Sequence, residues 1–498
     1  MDLSLLLDMA ADTSPDREAF VGDGERLTYE ALRRRATAGA SLILEHPGTT
    51  VVYLGVNGVS VPVSLFASAL AGRPFAPINY RLSDAELRAL LLRTAPSTLI
   101  VDNDMRPRLG DIDGVTMITT ADFAAATRDP DRQAMSLPQS EPDIAVLLFT
   151  SGTTGEPKAA VLRHRHLSAY VISTVEFLSA EDTDAALVSV PPYHIAGISA
   201  VLTGVYAGRR TVYLPSFAAD LWVETARAER VTHAMVVPTM LGRILALLDD
   251  RQETLPYLRA LSYGGGRMPQ AVIERALEQL PHVGFVNAYG LTETSSTIAT
   301  LGPDDHRAFV AAGPDGRRRL GSVGRPLPGL EIEIRAPDGS PCAAGVCGEI
   351  HVRGEQIAGE YLHKSAIDVE GWFATRDAGW LDSEGYLFVD GRLDDVIVRG
   401  GENISPGEIE DVLRAHASVR DVAIVGIPNE QWGEAVAAVI VHEGERPAPA
   451  DLEAWVRGRL RSTKTPEHWA FRAELPYNET GKLLRRVLRS ELLTAAGG

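Results

Sequence analysis

Residues 148–158 read Leu-Phe-Thr-Ser-Gly-Thr-Thr-Gly-Glu-Pro-Lys, and the fold class can be worked out starting from this segment. An apolar run at 144–149 leads into it, which predicts a buried strand followed by a polar loop. Glycine allows close backbone approach, so the N–H groups and hydroxyls of such a loop can surround a phosphate. The spacing is not that of a Walker loop, because Lys158 follows Pro157 and precedes Ala159. Taken alone, the segment predicts either a phosphate-binding loop or an ordinary polar turn.

Outward from this segment, short apolar runs alternate with helix-period segments, which predicts an α/β architecture with largely buried strands. The predicted strands include 51–54, 98–101, 186–190 and 234–237, and the predicted helices include 84–93 and 270–279. From Gly321 onward, Gly and Pro become frequent and short alternating strands appear at 331–334 and 349–352. This change predicts a small β-rich subdomain.

A further break at 391–395 is followed by a self-contained α/β pattern. Ser405-Pro406-Gly407-Glu408 predicts a helix start with Ser405 as N-cap and Glu408 closing a capping box. Strands at 422–425 and 436–441 and a helix at 450–461 are predicted beyond it. We therefore predict a large N-terminal domain, 1–393, built of α/β subdomains plus the β-rich subdomain, and a small α+β C-terminal domain, 394–498.

Composition restricts the class of protein. The chain has 498 residues and a net charge of −18, which argues against nucleic acid as a partner, because its binding needs clustered cations. Cys342 and Cys347 are too few for a disulfide framework and are expected to be ordinary thiols in a reducing compartment. The first residues lack the basic start of a signal peptide, and no apolar run could span a membrane. A cytoplasmic enzyme or binding protein is expected.

Further motifs follow the loop in a fixed order. They are Asn287-Ala288-Tyr289-Gly290-Leu291-Thr292-Glu293, Gly371-Trp372-Phe373-Ala374-Thr375-Arg376-Asp377, the segment Gly391-Arg392-Leu393-Asp394-Asp395 running into Arg399-Gly400-Gly401-Glu402-Asn403-Ile404, and Asn478-Glu479-Thr480-Gly481-Lys482. Together with the 148–158 loop, this series resembles the adenylate-forming superfamily, which includes acyl-CoA synthetases, adenylation domains of peptide synthetases and beetle luciferases. The resemblance covers essentially the whole chain. Any one of these motifs is weak evidence, and it is their order and spacing that indicate the family.

The resemblance implies an ATP-dependent carboxylate–CoA ligase that uses ATP, Mg²⁺ and coenzyme A. In this family a carboxylate attacks the α-phosphate of ATP and pyrophosphate leaves, so charge on phosphate oxygens must be stabilised. The implied nucleotide site comprises Thr150, Ser151, Gly152, Thr153, Thr154, Gly155, Lys158, Gly264, Gly265, Asn287, Ala288, Tyr289, Gly290, Thr292, Asp377 and Arg392. Within that site, the loop would hold the β- and γ-phosphates, Tyr289 would stack on adenine, and Asp377 and Arg392 would hold the ribose.

The resemblance also implies the catalytic residues Lys482, Thr292, Glu293 and His194. Thr292 would bind the α-phosphate, and Glu293 would hold Mg²⁺, a hard cation that prefers carboxylate oxygen. Lys482 would bridge the carboxylate and α-phosphate oxygens. Each residue also has an ordinary explanation on its own: Tyr289 as core filling, Glu293 at a solvated helix end, Asp377 as a turn cap, and Lys482 on a basic surface.

The acyl pocket is implied by the segment 191–197. Its members would be Tyr193, His194, Val237, Gly265 and Gly266. Residues 193–199 contain no carboxylate to pair with an amine, which argues against an amino-acid substrate. An apolar organic acid of fatty or aryl type is therefore the predicted substrate.

For the second half-reaction, enzymes of this family rotate their mobile C-terminal domain about a hinge residue. Asp394 matches the position of that residue here. Arg399, Gly400 and Gly401 would then line a tunnel for pantetheine. Trp432 is interpreted as stacking on the adenine of CoA if it is exposed, and as a core residue if it is buried.

Three positions depart from the family pattern. Ala159 stands where glycine usually follows the loop lysine, Arg376 occupies the middle of a motif that usually reads Thr-Gly-Asp, and Glu467 replaces a cation. Glu467 is expected to repel a CoA phosphate. Two alternatives therefore remain open: a stand-alone enzyme that loads a carrier-protein thiol, and a non-catalytic protein that binds a nucleotide or acyl ligand.

Overall fold

The structure is a computed structural model that describes residues 1–133, 143–150, 158–362, 364–400, 402–477 and 483–496, with backbone only at 314–315, 402–403 and 495–496. Its strands are β1 Glu18–Gly22, β2 Glu25–Thr28, β3 Thr50–Leu54, β4 Phe75–Pro77, β5 Ser97–Val101, β6 Val115–Thr119, β7 Ile144–Thr150, β8 Lys158–Arg163, β9 Ala185–Val188, β10 Arg210–Tyr213, β11 His233–Val236, β12 Ala260–Gly264, β13 Gly284–Leu291, β14 Ser296–Leu301, β15 Arg325–Pro326, β16 Glu331–Arg335, β17 Gly348–Arg353, β18 Glu360–Tyr361, β19 Lys364–Ser365, β20 Phe373–Leu381, β21 Leu387–Arg392, β22 Ile397–Arg399, β23 Glu402–Ile404, β24 Val419–Asn429, β25 Gly433–His442 and β26 His468–Phe471.

The helices are α1 Leu3–Thr13, α2 Tyr29–Leu44, α3 Ser60–Leu70, α4 Asp84–Thr94, α5 Arg106–Leu109, α6 Thr120–Thr127, α7 Pro130–Gln133, α8 His164–Thr174, α9 Ile195–Tyr206, α10 Ala219–Ala228, α11 Pro238–Arg251, α12 Gln270–Gln279, α13 Pro303–Ala311, α14 Gly313–Arg317, α15 Pro406–Arg414, α16 Pro449–Arg457 and α17 Arg485–Ala496. None of the helices among the described residues is long and apolar enough to cross a membrane.

Two sheets with parallel centres form the large part of the chain. One has the strand order β15-β14-β13-β12-β11-β9-β10-β1-β2, and the other has the order β19-β18-β8-β7-β4-β3-β5-β6. A shared core of buried side chains joins them, with Phe75 from β4, Tyr213 from β10 and Ile198 from α9 in one cluster. Parallel strands buried on both faces carry apolar runs, which is why the sequence pattern predicted them correctly. The predicted α/β fold class is confirmed.

Two smaller sheets complete the architecture of the described residues. The order β16-β17-β20-β21 forms the β-rich unit expected after Gly321. Beyond residue 394, β23-β22-β25-β24 form a sheet in which β26 pairs with β25. Glu410 of α15 is buried there, and its Oε1 accepts hydrogen bonds from Arg485 Nη2 at 2.5 Å and from the backbone N–H of Ile424 at 2.9 Å.

The start of α15 differs from the predicted capping box. The helix begins at Pro406 as predicted, but Ser405 makes no side-chain cap hydrogen bond. Its hydroxyl donates instead to the carbonyl oxygen of Asp390 at 3.3 Å, and Glu408 accepts from Lys464 Nζ at 2.5 Å. Tertiary partners therefore replace both halves of the local motif. The helix predicted at 450–461 is also shorter and ends before Gly458, a poor helix former.

Candidate active site

At the carboxyl ends of the neighbouring parallel strands β12 and β13, there is no room for a side chain at Gly264. Gly264 pairs with Ala288, and a Cβ added to Gly264 would lie only 2.3 Å from the Ala288 carbonyl oxygen. Gly265 follows with φ +76°, a conformation that glycine adopts without strain. The carboxyl ends of parallel strands are where α/β sheets bind ligands, and the predicted nucleotide residues 264–265 and 287–290 lie together there.

Tyr289, Asp377 and Arg392 are brought into direct contact. The Tyr289 hydroxyl donates to Asp377 Oδ2 at 2.7 Å, and Arg392 Nη1 donates to Asp377 Oδ1 at 2.9 Å. Antiparallel pairing of β20 with β21 sets Asp377 directly opposite Arg392. Burial, reinforced by Asp377, raises the pKa of the Tyr289 hydroxyl well above its ordinary value. Tyr289 is half-buried and packs against buried residues of β14 and β17, so part of its surface contributes to the core.

Glu293 lies one residue beyond Thr292 in a short 3₁₀ turn that follows β13. Its carboxylate is buried, and Oε1 accepts a hydrogen bond from the Tyr361 hydroxyl at 2.8 Å. Among the hydrogen bonds of the described residues, none reaches Oε2. A buried carboxylate with one oxygen held in place and the other available fits a hard cation such as Mg²⁺.

Lys158 also lies near Tyr361. Its Nζ lies 5.9 Å from the centre of the Tyr361 ring, because β18 pairs with β8. The predicted loop lysine and the predicted metal ligand therefore contact the same tyrosine. Ala159, the departure after the lysine, is a buried strand residue that pairs with Phe149.

Several predicted residues lie outside the described part of the chain. They are Ser151, Gly152, Thr153, Thr154, Gly155, Gly401 and Lys482. Thr150, which precedes the loop, ends β7, and its hydroxyl donates to the Lys158 carbonyl oxygen at 3.4 Å. Asn287 is buried beside the site, and its Nδ2 donates to the carbonyl oxygen of Ser322 at 3.0 Å.

His194 lies immediately before α9, against Tyr193, with the ring centres 4.7 Å apart. Burial lowers the pKa of His194 to about 4, so the imidazole is neutral at pH 7. Tyr193 in turn packs edge-on against Tyr80 at 5.6 Å. Gly197 permits the tight turn into α9, since a Cβ there would lie 2.8 Å from the Pro191 carbonyl oxygen. An aromatic cluster therefore surrounds the predicted acyl gate.

The other predicted members of the acyl pocket are small groups. A Cβ added to Gly265 would lie 3.5 Å from Val237 Cγ1, and one added to Gly266 would lie 4.0 Å from Pro238. Val237 is buried directly before α11. The three predicted members, Val237, Gly265 and Gly266, are therefore neighbours in space.

A cavity of about 320 Å³ opens beside this cluster. It is lined by Tyr80, Arg81, Ser189, Pro191, Pro215, Ser216, Phe217, Thr239, Met240, Arg243 and Tyr477. Most of these residues follow parallel strands of the two large sheets, whereas Tyr477 comes from the C-terminal part. The Tyr477 hydroxyl donates to Asp421 Oδ2 at 2.7 Å, which fixes its ring at the cavity wall.

Arg399 and Gly400 lie together on the C-terminal part. Arg399 forms an ion pair with Glu467, and a Cβ on Gly400 would lie 3.0 Å from the Trp432 ring. Trp432 is 44% exposed, so it is not a core residue. Glu467 was expected to act by repelling an incoming phosphate, and its contact with Arg399 shows that it also partly neutralises the neighbouring guanidinium.

Asp394, the predicted hinge, is held by Arg376. The Nη2 of Arg376 lies 3.0 Å from Asp394 Oδ1 and 3.3 Å from Oδ2. The sequence reasoning missed this ion pair, as it missed Tyr361 and Tyr477. Only the pairing of β20 with β21 could have indicated it, because that pairing brings residue 376 close to residue 394.

This combination of two parallel-centred sheets, a β-rich sheet and a separate C-terminal sheet is that of an adenylate-forming enzyme. Residues 7–362 match the family described as AMP-binding enzyme, and residues 408–482 match the AMP-binding enzyme C-terminal domain. The chain therefore belongs to the AMP-binding enzyme family.

Similar proteins fall in the same class. A fatty acid–[acyl-carrier-protein] ligase of Streptomyces coeruleorubidus is 32% identical over 96% of this chain and 94% of its own length. A feruloyl-CoA synthase of an Amycolatopsis species is 32% identical over 96% of both chains. The o-succinylbenzoate CoA synthetase of Bacillus subtilis, solved with its acyl-adenylate intermediate, aligns with a TM-score of 0.82 at 28% identity and 97% coverage of both chains.

The family and these relatives confirm the predicted enzyme class, an AMP-forming acid–thiol ligase. ATP, Mg²⁺ and coenzyme A are the cofactors of that class, as predicted. The individual roles of the site residues and the domain boundary at 393/394 stay predictions.

Proposed function

We propose that this chain activates an apolar organic acid of aryl or fatty type as an acyl-adenylate and transfers the acyl group to coenzyme A. The observation that carries the proposal is that two clusters of contacting side chains lie near each other. The Tyr289–Asp377–Arg392 contact forms a shelf for a nucleoside, and the Glu293–Tyr361–Lys158 contact forms a site for phosphates and a cation. Arg392 of the first cluster interacts with Glu293 of the second: although burial opposes it, Asp377 and Glu293 raise the pKa of Arg392.

For adenylation, we assign Asp377 and Arg392 to the ribose hydroxyls and the half-buried ring of Tyr289 to the adenine. Thr292 donates to the α-phosphate. Glu293 would hold Mg²⁺, and the bound cation would neutralise charge on the phosphate oxygens. The loop at 151–158 binds the departing pyrophosphate. Preorganised donors of this kind stabilise the charge that develops during the attack.

Lys482 is assigned the last contact of adenylation, between the carboxylate and α-phosphate oxygens. It follows five residues after Tyr477, whose ring lines the cavity next to Pro191. The position of Tyr477 supports the proposal that the two proposed domains, 1–393 and 394–498, have in this structure the arrangement that forms the acyl-adenylate. Rotation about Asp394 would then bring Arg399, Gly400 and Gly401 to the site.

The proposed acid is uncharged beyond its reacting carboxylate. His194 is neutral at pH 7, its neighbours are aromatic or small, and residues 193–199 contain no acid to pair with an amine. Two of the relatives' names support this class, since a feruloyl group is aryl and another substrate is a fatty acid, whereas o-succinylbenzoate carries a second carboxylate.

Coenzyme A is the proposed acceptor, and an exposed Trp432 beside Gly400 is a surface on which its adenine could stack. A carrier-protein thiol is the second candidate. The Arg399–Glu467 pair favours it, because it removes net positive charge where CoA would bring phosphates. An enzyme that uses ATP and CoA, with two thiols that form no disulfide among the described residues, supports a cytoplasmic location.

The test measures the two half-reactions separately with a panel of aryl and fatty acids. Adenylation is followed by pyrophosphate exchange, and acyl transfer is followed from supplied acyl-adenylate to CoA or to a holo carrier protein. Lys482→Ala should abolish the first and leave the second largely intact, whereas Lys364→Ala, which removes an exposed lysine, should change neither. Equal loss of both steps in Lys482→Ala, or no acyl-adenylate with any acid, would contradict the proposal.

A further inference from the structure

Arg376 has a backbone conformation that a side chain other than glycine rarely adopts. Its φ is +60°, in the left-handed region, where an L-residue is strained. The residue lies at the point where β20 departs from regular pairing with β17, since Glu349 pairs with Ala378 but His351 pairs with Ala374. Such irregularities often redirect one side chain next to an active site. An observed backbone outlier of this kind calls for a role that the side chain supplies.

The neighbours of Arg376 fix it from both sides. Thr375 and Asp377 are buried, the Thr375 hydroxyl donates to the Ile350 carbonyl oxygen at 2.8 Å, and Asp377 is engaged by Arg392. The backbone N–H of Arg376 donates to Glu349 Oε1 at 3.1 Å. The guanidinium is therefore projected from a fixed frame, and it contacts the carboxylate of Asp394 through both oxygens.

Asp394 lies in a 3₁₀ turn, Leu393–Asp395, between the last strand of the β-rich sheet and the first strand of the C-terminal sheet. The ion pair therefore joins a rigid position of one sheet to the connection that leads into the other. It lies directly beside the Asp377–Arg392 contact of the nucleotide shelf. A rotation about Asp394 would change the backbone segment that carries one partner of this pair.

We propose that Arg376 is a positioning residue that holds the hinge at Asp394 in the arrangement that forms the acyl-adenylate, and that release of this ion pair accompanies the change to acyl transfer. The inference rests on the proposed two-step function. Both side chains are more than half exposed, so the pair is a weak one. A weak interaction suits a step that must be reversed in every catalytic cycle. Loss of the ion pair should change the equilibrium ratio of the two domain arrangements by about two- to fivefold.

The experiment compares Arg376→Gly, Arg376→Lys and Asp394→Asn with the double variant Arg376→Gly/Asp394→Asn. Arg376→Gly should slow pyrophosphate exchange about two- to fivefold while leaving acyl transfer from supplied acyl-adenylate unchanged or faster. Its Tm should not fall, because glycine relieves the φ strain. Arg376→Lys should recover part of the exchange rate. The double variant should be no slower than the slower single variant, since both changes remove one interaction.

Arg457→Ala is the matched control. Arg457 is similarly exposed and pairs with Glu453 inside helix α16, away from the hinge. It should change neither half-reaction. Additive losses in the double variant, or equal slowing of both half-reactions, would overturn the proposal. So would a raised KM for ATP in Arg376→Gly without coupling to Asp394, which would instead indicate direct contact with a phosphate.

A readout without turnover separates this inference from the proposed function. Spin labels at introduced cysteines Asp220→Cys and Ala454→Cys, with Cys342 and Cys347 replaced by serine, report the distance between the two parts of the chain. Arg376→Gly should broaden or shift the distance distribution relative to the parent and to Arg457→Ala. An unchanged distribution would contradict the inference even if the enzyme forms acyl-adenylates. A changed distribution in a protein that activates no acid would contradict only the proposed function.

Discussion

The Tyr361 hydroxyl donates a 2.8 Å hydrogen bond to Glu293, a carboxylate that lies 68 positions earlier in the chain. Partners of this kind orient a metal ligand, and their removal typically weakens metal binding about tenfold or more. Tyr361→Phe should therefore raise the Mg²⁺ concentration needed for half-maximal pyrophosphate exchange about tenfold. A titration of the exchange rate with Mg²⁺ at saturating ATP and acid measures this.

Tyr386→Phe provides a control for the same chemical change at another place. The Tyr386 hydroxyl also donates a 2.8 Å hydrogen bond to a carboxylate, that of Asp305. We expect its Mg²⁺ dependence to match the parent. Equal shifts in both variants would mean that the effect of Tyr361 is general destabilisation.

His194 gives a pH prediction. Burial lowers its folded-state pKa from 6.5 to about 4, so the unfolded chain binds more protons between these two values. This histidine should therefore reduce stability as pH falls from about 6.5 to about 4 and have no effect on its pH dependence above 6.5. The acid-side slope of Tm against pH should be smaller in His194→Phe than in the parent.

The same variant tests whether His194 exchanges a proton during the reaction. Because the imidazole stays neutral from about pH 5.5 to 8, His194→Phe should alter the KM for the acid but leave the shape of the kcat/KM profile unchanged across that range. The disappearance of an ionisation between pH 6 and 8 in the variant would contradict a neutral gate.

A methyl group added at Gly264 should clash at the proposed nucleotide shelf. Its Cβ would approach the Ala288 carbonyl oxygen to 2.3 Å, so Gly264→Ala should destabilise the chain by about 1–3 kcal/mol and weaken ATP binding. Gly242 lies in helix α11 with nothing within 4 Å of the added methyl. Gly242→Ala should thus stabilise the chain by about 1 kcal/mol. Denaturant midpoints and ATP titrations measure both; a tolerated Gly264→Ala would show that the strands can separate.

Glu467 predicts a change in acceptor preference. Glu467→Gln removes the charge that Arg399 contacts, so an incoming CoA phosphate should meet a more positive surface and the KM for CoA should fall about two- to fivefold. The gain should shrink as salt is raised. Glu430→Gln, at an exposed position, should leave the KM for CoA unchanged. A higher KM in Glu467→Gln would indicate that Glu467 positions Arg399 for the acceptor.

The elements that the sequence predicted best are those that depend on local periodicity. The helix at 270–279 has its predicted bounds, because one face of it is apolar at regular spacing. The buried strands of both large sheets followed from their apolar runs. The capping box at Ser405 was wrong because Asp390 and Lys464, which are distant in sequence, supply competing partners.

The nucleotide shelf was predicted through ordered motifs, and the structure adds what motifs do not contain. Tyr361 belongs to no motif, and only the pairing of β18 with β8 brings it to Lys158 and Glu293. The Arg376–Asp394 contact likewise depends on strand pairing and on a left-handed residue. Cross-strand contacts of this kind have no local sequence pattern, so a single sequence does not reveal them.

Tyr477, from the C-terminal part of the chain, forms part of the wall of the cavity beside Pro191. The full shape of the cavity therefore exists in only one arrangement of the molecule. A small molecule that filled the cavity would bind only that arrangement and would hold the enzyme in it. Such a molecule would not need to resemble ATP or the acid. Its inhibition would be expected to deepen under conditions that populate the arrangement, and compounds screened against the N-terminal part alone would miss it.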